Sequence, residues 1–235
     1  MRYSQRWGGI AALTEAAAYA FGIGLGFTTL APFLTNTLGP VEMVAFLADH
    51  QDLFYLWNQI ILVLFGIALV VLVLALHARL QDGAPALMQS ATAFGLIWAG
   101  LVLAAGMVFN IGTATVTALY STDPAQAGSL WVAIDAVQTG LGGGNEIVGG
   151  LWTLLVSVAA LRSGGLPKAL NILGIVAGAA GLVTVLPGLT DVGALFGLGQ
   201  LVWFAGLAVV MLRTSPQAAA ARPDSLVPQR STTAL

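Results

Sequence analysis

Six apolar segments, each close to the length needed to cross a lipid bilayer, constrain this chain more than any other feature of its sequence. They cover residues 7–34, 54–76, 87–111, a part of 130–161, 169–186 and 193–212. A helix needs about 20 apolar residues to span a hydrocarbon core of ~30 Å, and backbone groups in lipid must be hydrogen-bonded within their own segment. The sequence therefore predicts an all-α integral membrane protein, with a single bundle of six transmembrane helices over residues 1–213.

The basic residues predict the orientation of these helices. With six crossings, all eight Lys and Arg side chains fall on the same side of the membrane, namely Arg2, Arg6, Arg79, Arg162, Lys168, Arg213, Arg222 and Arg230. Basic residues concentrate on the cytoplasmic side of membrane proteins. We therefore expect both termini in the cytoplasm. Residues 214–235 are rich in Ala, Pro, Ser and Thr, and we interpret them as a disordered cytoplasmic tail.

Charge is scarce along the whole chain. Only 8% of the 235 residues are charged, whereas soluble domains average roughly 25%. This composition excludes a soluble globular enzyme, and eight bases are too few for the basic surface of a nucleic-acid-binding protein. We expect membrane lipids as the surroundings and no nucleic acid as a partner.

No cofactor or metal ion is expected from the side chains available. The chain has no cysteine, which removes thiolate ligands and nucleophiles. Its two histidines, His50 and His77, fall on opposite faces of the predicted membrane and cannot ligate one haem. His50 lies beside Asp49 and Asp52, but a zinc site normally needs three or four protein ligands. We interpret these three residues as an exposed acidic cap on an interfacial helix.

The fourth apolar segment is predicted to be kinked or broken at residues 140–144, which read GLGGG. Asp123 and Pro124 are typical of a helix start, as N-cap and first helical residue. A helix running from there to Arg162 would be about 57 Å long at 1.5 Å per residue, too long for one crossing. After the break, Asn145 is expected to cap a second helix with Glu146 in its first turn.

Short interfacial helices are expected on the outer side. After Gly39 and Pro40, the apolar residues Val41, Val44, Ala45 and Ala48 share one helical face. Proline is favoured in the first turn of a helix, and an apolar face on a short helix is typical of a segment lying in the membrane interface.

Three carboxyl groups within the predicted spans are the candidates for chemistry: Glu15, Asp135 and Glu146. An ionisable residue inside a membrane is costly and is a functional candidate by default. Glu15 is either a proton-accepting group that faces a cavity or a buried carboxyl hydrogen-bonded to a neighbouring helix. The residues leave both interpretations open.

Other polar side chains are predicted to lie at a similar depth, in the outer half of the bundle. Together with the carboxyl groups they form the predicted ligand-binding set: Glu15, Tyr19, Asn58, Gln59, Asn110, Asp135, Gln138, Asn145, Glu146 and Gln200. We expect a polar cavity open to the outer side, because bundle interiors commonly host binding sites. The alternative is that polar residues simply collect at an interface.

Small residues recur at intervals of four in several segments. The glycine pairs are Gly22 and Gly26, Gly140 and Gly144, Gly174 and Gly178, and Gly193 and Gly197. Such pairs let helices approach closely, and we favour packing within one chain. The alternative is an oligomer or a transporter partner that docks on a Gly- or Ala-rich face, such as Ala12, Ala16 and Ala20 of the first helix.

A family resemblance rests mainly on the turn between the fourth and fifth segments. The run Leu161-Arg162-Ser163-Gly164-Gly165-Leu166-Pro167-Lys168, with the opening Arg6-Trp7-Gly8-Gly9, resembles a bacterial membrane family known as domain of unknown function 4386. The resemblance implies a six-helix bundle in a bacterial plasma membrane. It implies no activity and no functional residues.

The function favoured by these residues is binding of a small hydrophobic, amphipathic or lipid-like molecule in the outward-facing cavity, either alone or as a subunit of a transporter. The alternative is an intramembrane enzyme, similar to membrane terpene cyclases, in which Glu15 and Glu146 act as an acid/base pair on an isoprenoid or lipid. A proton-coupled carrier ranks last, because no internal repeat is visible. Whether the chain is an enzyme is left open.

Overall fold

A computed structural model describes residues 2–35, 37–142 and 146–213 of the chain. Every regular element in these ranges is helical, which confirms the predicted all-α class. The predicted tail over residues 214–235 lies outside the described residues.

Ten α-helices follow one another in the described ranges. They are α1 (Arg2–Gly26), α2 (Ala31–Leu34), α3 (Pro40–Asp49), α4 (Gln51–Asn58), α5 (Phe65–Leu80), α6 (Pro85–Tyr120), α7 (Pro124–Leu141), α8 (Ile147–Ser163), α9 (Lys168–Val183) and α10 (Gly193–Arg213). A π-helical segment, Gln59–Leu64, joins α4 to α5 without a break, and a short 3₁₀ turn, Thr190–Val192, precedes α10.

Four stretches are long and apolar enough to cross a membrane: Ser4–Gly26, Gln51–Leu80, Pro85–Tyr120 and Thr190–Arg213. Helices α8 and α9 are apolar but shorter, with 17 and 16 residues. Helix lengths and compositions of this kind are those of a multi-pass membrane protein. Helix α6, with 36 residues, is about 54 Å long and extends well beyond the hydrocarbon thickness of ~30 Å.

The predicted break in the fourth apolar segment is confirmed. Helix α7 ends at Leu141, and α8 begins at Ile147. The N-cap of α8 is Glu146, so the expected register, with Asn145 as the cap, is wrong by one residue; Asn145 itself lies outside the described residues. The start of α7 is as predicted, since the amide of Gln126 donates to Oδ1 of Asp123 at 2.9 Å.

One end of the bundle is held together by the side chain of Arg79. Its Nε donates to the carbonyl of Gly165 at 3.0 Å, and its Nη1 donates to Oε1 of Gln5 at 2.8 Å. Gly165 lies in the turn after α8, whose C-cap Gly164 adopts the left-handed conformation with φ 65°. The start of α1, the end of α5 and the α8–α9 turn therefore meet here, and we call this the basic end.

Two separate clusters of buried residues fill the protein. The main core involves α1, α5, α6, α8, α9 and α10. A smaller cluster, the end core, lies away from the basic end and contains Leu30, Met43, Val44, Leu47, Phe54, Trp57, Phe109, Val116, Ala127 and Trp131. It packs α3 and α4 against the last turns of α6 and the first turns of α7, which is why α6 continues so far.

Helix α3 forms as predicted, and its buried face overlaps the expected one only in part. Val44 is buried as that face requires, but it is joined by Met43 and Leu47, while Val41 is 39% exposed. The start of α3 lies against α7 at Gly128, where a Cβ atom would be 3.0 Å from the backbone nitrogen of Val41. Helix α3 therefore packs on protein as well as having an apolar face.

The small residues of the main core pack within the chain. A Cβ atom on Gly178 of α9 would lie 2.6 Å from the carbonyl oxygen of Gly150 of α8, so the pair Gly174 and Gly178 works as a helix-packing motif here. Of the Ala-rich face of α1, Ala12 and Ala16 are buried inside the bundle, whereas Ala20 is exposed.

Candidate functional site

A cavity of about 560 Å³ lies between the main core and the end core. Its wall includes Ala18 and Phe65 from the main core and Met43 and Trp131 from the end core. Cavities of 300–1,000 Å³ are typical of small-molecule sites. The boundary between the two cores is therefore the candidate site.

Helical periodicity explains which residues reach the cavity. Helix α7 presents Trp131, Asp135, Gln138 and Gly142 to it, at intervals of three or four residues that place them on one face. Helix α1 contributes two adjacent pairs of residues one turn apart, namely Ala18 and Tyr19, and Gly22 and Ile23. The remaining wall comes from α2, α3, α6, the segment from α4 to α5, and Glu146 at the start of α8.

The π-helical segment forms part of the wall through Ile61 and Leu62. A π-helical turn inside an α-helix changes the direction in which later side chains point, and such turns often occur at functional sites. Here it lies between Trp57 and Phe65, and both of these rings line the cavity. The segment therefore sets the relative position of one ring from each core.

The polar part of the wall is centred on Asp135. Its Oδ1 accepts a hydrogen bond from Nε2 of Gln138 at 2.9 Å, and the same Nε2 lies 3.0 Å from Oγ1 of Thr139. Gln138 and Thr139 also line the cavity. Oγ1 of Thr139 lies 3.5 Å from the same Asp135 oxygen, so both contacts to the carboxyl group come from its own helix.

Glu146 lies at the other side of the break and is anchored through its backbone. Its amide donates to Oγ1 of Thr184 at 2.8 Å, and the Thr184 hydroxyl donates to the carbonyl of Gly181 at 2.7 Å. The position before α8 is thereby fixed to α9. The Glu146 side chain is half-buried and lines the cavity, so the break in the fourth segment supplies a second carboxyl group to the site.

Four of the ten predicted ligand-binding residues line the cavity: Tyr19, Asp135, Gln138 and Glu146. Asn145 lies outside the described residues. The other five, which are Glu15, Asn58, Gln59, Asn110 and Gln200, are not among the lining residues.

Glu15 is fully buried, one helical turn from Tyr19. Neither carboxyl oxygen has a hydrogen-bond partner in the part of the chain that the structure describes, so the expected hydrogen bond to a neighbouring helix is not found there. Tyr19 packs edge-to-face on Phe65, with ring centroids 5.6 Å apart. Tyr19 lines the cavity one helical turn from the buried Glu15 carboxyl.

Three other predicted residues belong to packing contacts. Nδ2 of Asn58 donates to Oδ1 of Asn110 at 2.7 Å, and Nε2 of Gln200 donates to Oγ1 of Thr153 at 2.6 Å. Gln59 is exposed. These side chains were predicted to bind a ligand from their position along the helix axis. Their direction around the axis points them away from the cavity.

His50, the single histidine of the predicted acidic cap, makes local contacts. Its Nδ1 lies 3.1 Å from the carbonyl oxygen of Phe46, and the His50 and Phe46 rings are in contact, with centroids 4.4 Å apart and planes inclined by 43°. Within the described ranges, no group of three or more His, Cys, Asp or Glu side chains is arranged to hold a metal ion.

The aromatic wall of the cavity was missed by sequence reasoning. Besides Tyr19, it contains Phe33, Trp57, Phe65, Trp98 and Trp131. The available signal was the six tryptophans of the chain, of which three line this one cavity. Their grouping depends on contacts between elements far apart in the sequence, which no local pattern reports.

Comparisons with known proteins identify one family. The family described as "Domain of unknown function (DUF4386)" matches residues 17–214. No curated protein and no solved structure matches the chain. The family description names no activity, so the function has to be argued from the site.

Proposed function

We propose that this chain, which belongs to the DUF4386 family, binds a small or lipid-like molecule in the cavity between its two cores. The observation that carries the proposal is the composition of the wall. It is mostly apolar and aromatic, and a few polar groups, Asp135, Gln138 and Glu146, converge on it. Ligand sites are lined predominantly by apolar side chains, with a small number of placed polar groups that fix orientation.

The position of the cavity supports access from the outer side. We propose six crossings, of which the fourth is the broken α7–α8 pair and the fifth is α9, with the basic end in the cytoplasm of a bacterium. The described bases Arg6, Arg79, Arg162, Lys168 and Arg213 lie at helix ends that meet at the basic end or in its turn. The cavity, next to the end core, then lies towards the outer face.

Binding without chemistry is favoured over the enzymatic alternative. Glu15 does not line the cavity, so the acid/base pair of Glu15 and Glu146 is not formed at its wall. Asp135 and Glu146 are the two carboxyl groups that a bound molecule would meet. Of the α1 face suggested for a transporter partner, Ala12 and Ala16 are buried and Ala20 is exposed.

Native mass spectrometry of the protein purified in a mild neutral detergent tests the proposal. We expect a co-purified ligand on the wild type. Ile61→Trp adds an indole at the cavity wall and should remove the ligand, whereas Ile67→Trp, on the same continuous helix but 55% exposed, should retain it. The proposal would be overturned if the wild-type protein carried no co-purified ligand, or if Ile61→Trp and Ile67→Trp carried equal amounts of it.

A further inference from the structure

We infer that the ligand of this cavity is an organic cation, an amine or quaternary ammonium group carried on an apolar body. The inference rests on the proposed function and names the chemical class of its ligand. It draws on three separate observations: the charge of the wall, its aromatic content and one unpartnered donor.

The charged groups of the wall are all acidic. Asp135 and Glu146 line the cavity, and none of the described lining residues is a Lys, Arg or His. The cavity also lies away from the basic end, where Arg79 is hydrogen-bonded to Gln5 and Gly165. In a partly desolvated site, opposite charges attract more strongly than in water. An anionic ligand would meet two acidic side chains and no described base.

The aromatic rings surround the same space from two sides. Phe33 makes edge-to-face contact with Trp57, at a centroid distance of 5.8 Å, in the end core. Phe65 makes similar contacts with Tyr19 and Trp98, each at 5.6 Å, in the main core. Ring faces of Trp, Tyr and Phe attract a cation within about 6 Å of their centroids, and aromatic cages of this kind recognise ammonium groups.

A donor at the wall lacks a partner. Trp57 is 8% exposed and lines the cavity, and its Nε1 has no hydrogen-bond partner among the described residues. This nitrogen lies 4.0 Å from where a Cβ atom on Gly22, another lining residue, would be. A buried donor without an acceptor is unfavourable. An oxygen atom on the ligand, close to its cationic group, would satisfy it.

A pair of ions of equal size and opposite charge tests the inference. Tetraphenylphosphonium and tetraphenylborate are titrated separately against the purified protein in a neutral maltoside detergent, and binding is followed by tryptophan fluorescence and calorimetry. We expect the phosphonium ion to bind at least about tenfold more tightly than the borate. This ratio corresponds to 1.4 kcal/mol.

Three variants assign the preference to the wall. Asp135→Asn and Glu146→Gln each keep the side-chain shape and should each weaken phosphonium binding about tenfold. Asp82→Asn removes an exposed acid next to the basic end and should change nothing. Size-exclusion chromatography confirms folding of each variant, and Asp135→Asn alone suffices if Glu146→Gln does not yield folded protein.

The outcomes separate this inference from the proposed function. Equal binding of both ions, lost in Ile61→Trp, would overturn the cationic ligand and leave the binding cavity supported. Binding of the borate alone, or unchanged phosphonium affinity in Asp135→Asn and Glu146→Gln, would also overturn it. Failure of both ions to bind overturns the inference too, while the co-purified ligand still decides the proposed function.

Discussion

The side-chain amide of Asn58 donates a hydrogen bond to Oδ1 of Asn110 at 2.7 Å and a second to the carbonyl of Gly106 at 3.1 Å. Asn58 is the last residue of α4, next to the π-helical segment, and both acceptors are on α6. The contact therefore fixes the helix at the point where its hydrogen-bond pattern changes, one residue after Trp57 of the cavity wall.

Replacing Asn58 by Leu should lower the stability of the protein by about 1–3 kcal/mol, because the buried carbonyl of Gly106 and the half-buried amide oxygen of Asn110 lose their donor. The measurement is the melting temperature in detergent, followed by tryptophan fluorescence. Gln59→Leu alters the exposed neighbour and should stay within about 0.5 kcal/mol of wild type. Equal melting temperatures for both variants would show that the Asn58 bonds do not stabilise the fold.

Replacing Gly178 by Ala should separate α8 from α9. The added Cβ would lie 2.6 Å from the Gly150 carbonyl oxygen and 2.8 Å from the Leu154 nitrogen, both backbone atoms. Overpacking of this kind typically costs about 1–3 kcal/mol.

The matched control for Gly178 is Gly100→Ala on α6. A Cβ at Gly100 would meet nothing within 4 Å, so alanine should stabilise that helix by about 0.5–1 kcal/mol. The two glycine-to-alanine changes are thus expected to move the melting temperature in opposite directions. A Gly178→Ala protein as stable as Gly100→Ala would contradict the close contact of α8 with α9.

Replacing Glu15 by Gln should leave the fold intact and reduce the ligand that co-purifies with the protein. Within the described residues, the Glu15 carboxyl has no hydrogen bond to lose. The free energy of unfolding, followed through the melting temperature, should therefore change by less than about 1 kcal/mol. We expect the effect on the ligand to pass through Tyr19, which lies one helical turn from Glu15 on α1 and lines the cavity.

Gln200→Leu is the control for Glu15, because Gln200 is equally buried but has a partner in Thr153. This variant should lower the free energy of unfolding by about 1–3 kcal/mol, seen as a lower melting temperature. It should still co-purify with the ligand. If Glu15→Gln instead loses stability with unchanged ligand content, Glu15 is a structural residue.

Cysteine labelling tests the proposed orientation directly, because the chain contains no cysteine of its own. Thr122→Cys, in the exposed turn between α6 and α7, should react with a membrane-impermeant maleimide in intact cells. Lys168→Cys, exposed at the start of α9, should react only after the membrane is disrupted. The reverse pattern would place the basic end outside.

Local signals in the sequence determined the elements of this protein and several of their ends. The lengths of the apolar runs predicted helices, the acidic residue before Pro124 predicted the start of α7, and the run at residues 140–144 predicted the gap between α7 and α8. Each of these signals acts within one or two helical turns, through backbone hydrogen bonds and the conformational preferences of glycine and proline. This is why they can be recognised without the fold.

Only the tertiary structure decided which side chains meet. Phe33 and Trp57 from the end core and Phe65 and Trp98 from the main core line one cavity, although nothing in their local sequence connects them. Conversely, Asn58 and Gln200 were predicted from their expected depth, but their side chains bond to neighbouring helices. The sequence sets how deep a residue lies along its own helix. Which way its side chain faces depends on the packing of helices distant in the chain, because burial is a property of neighbours.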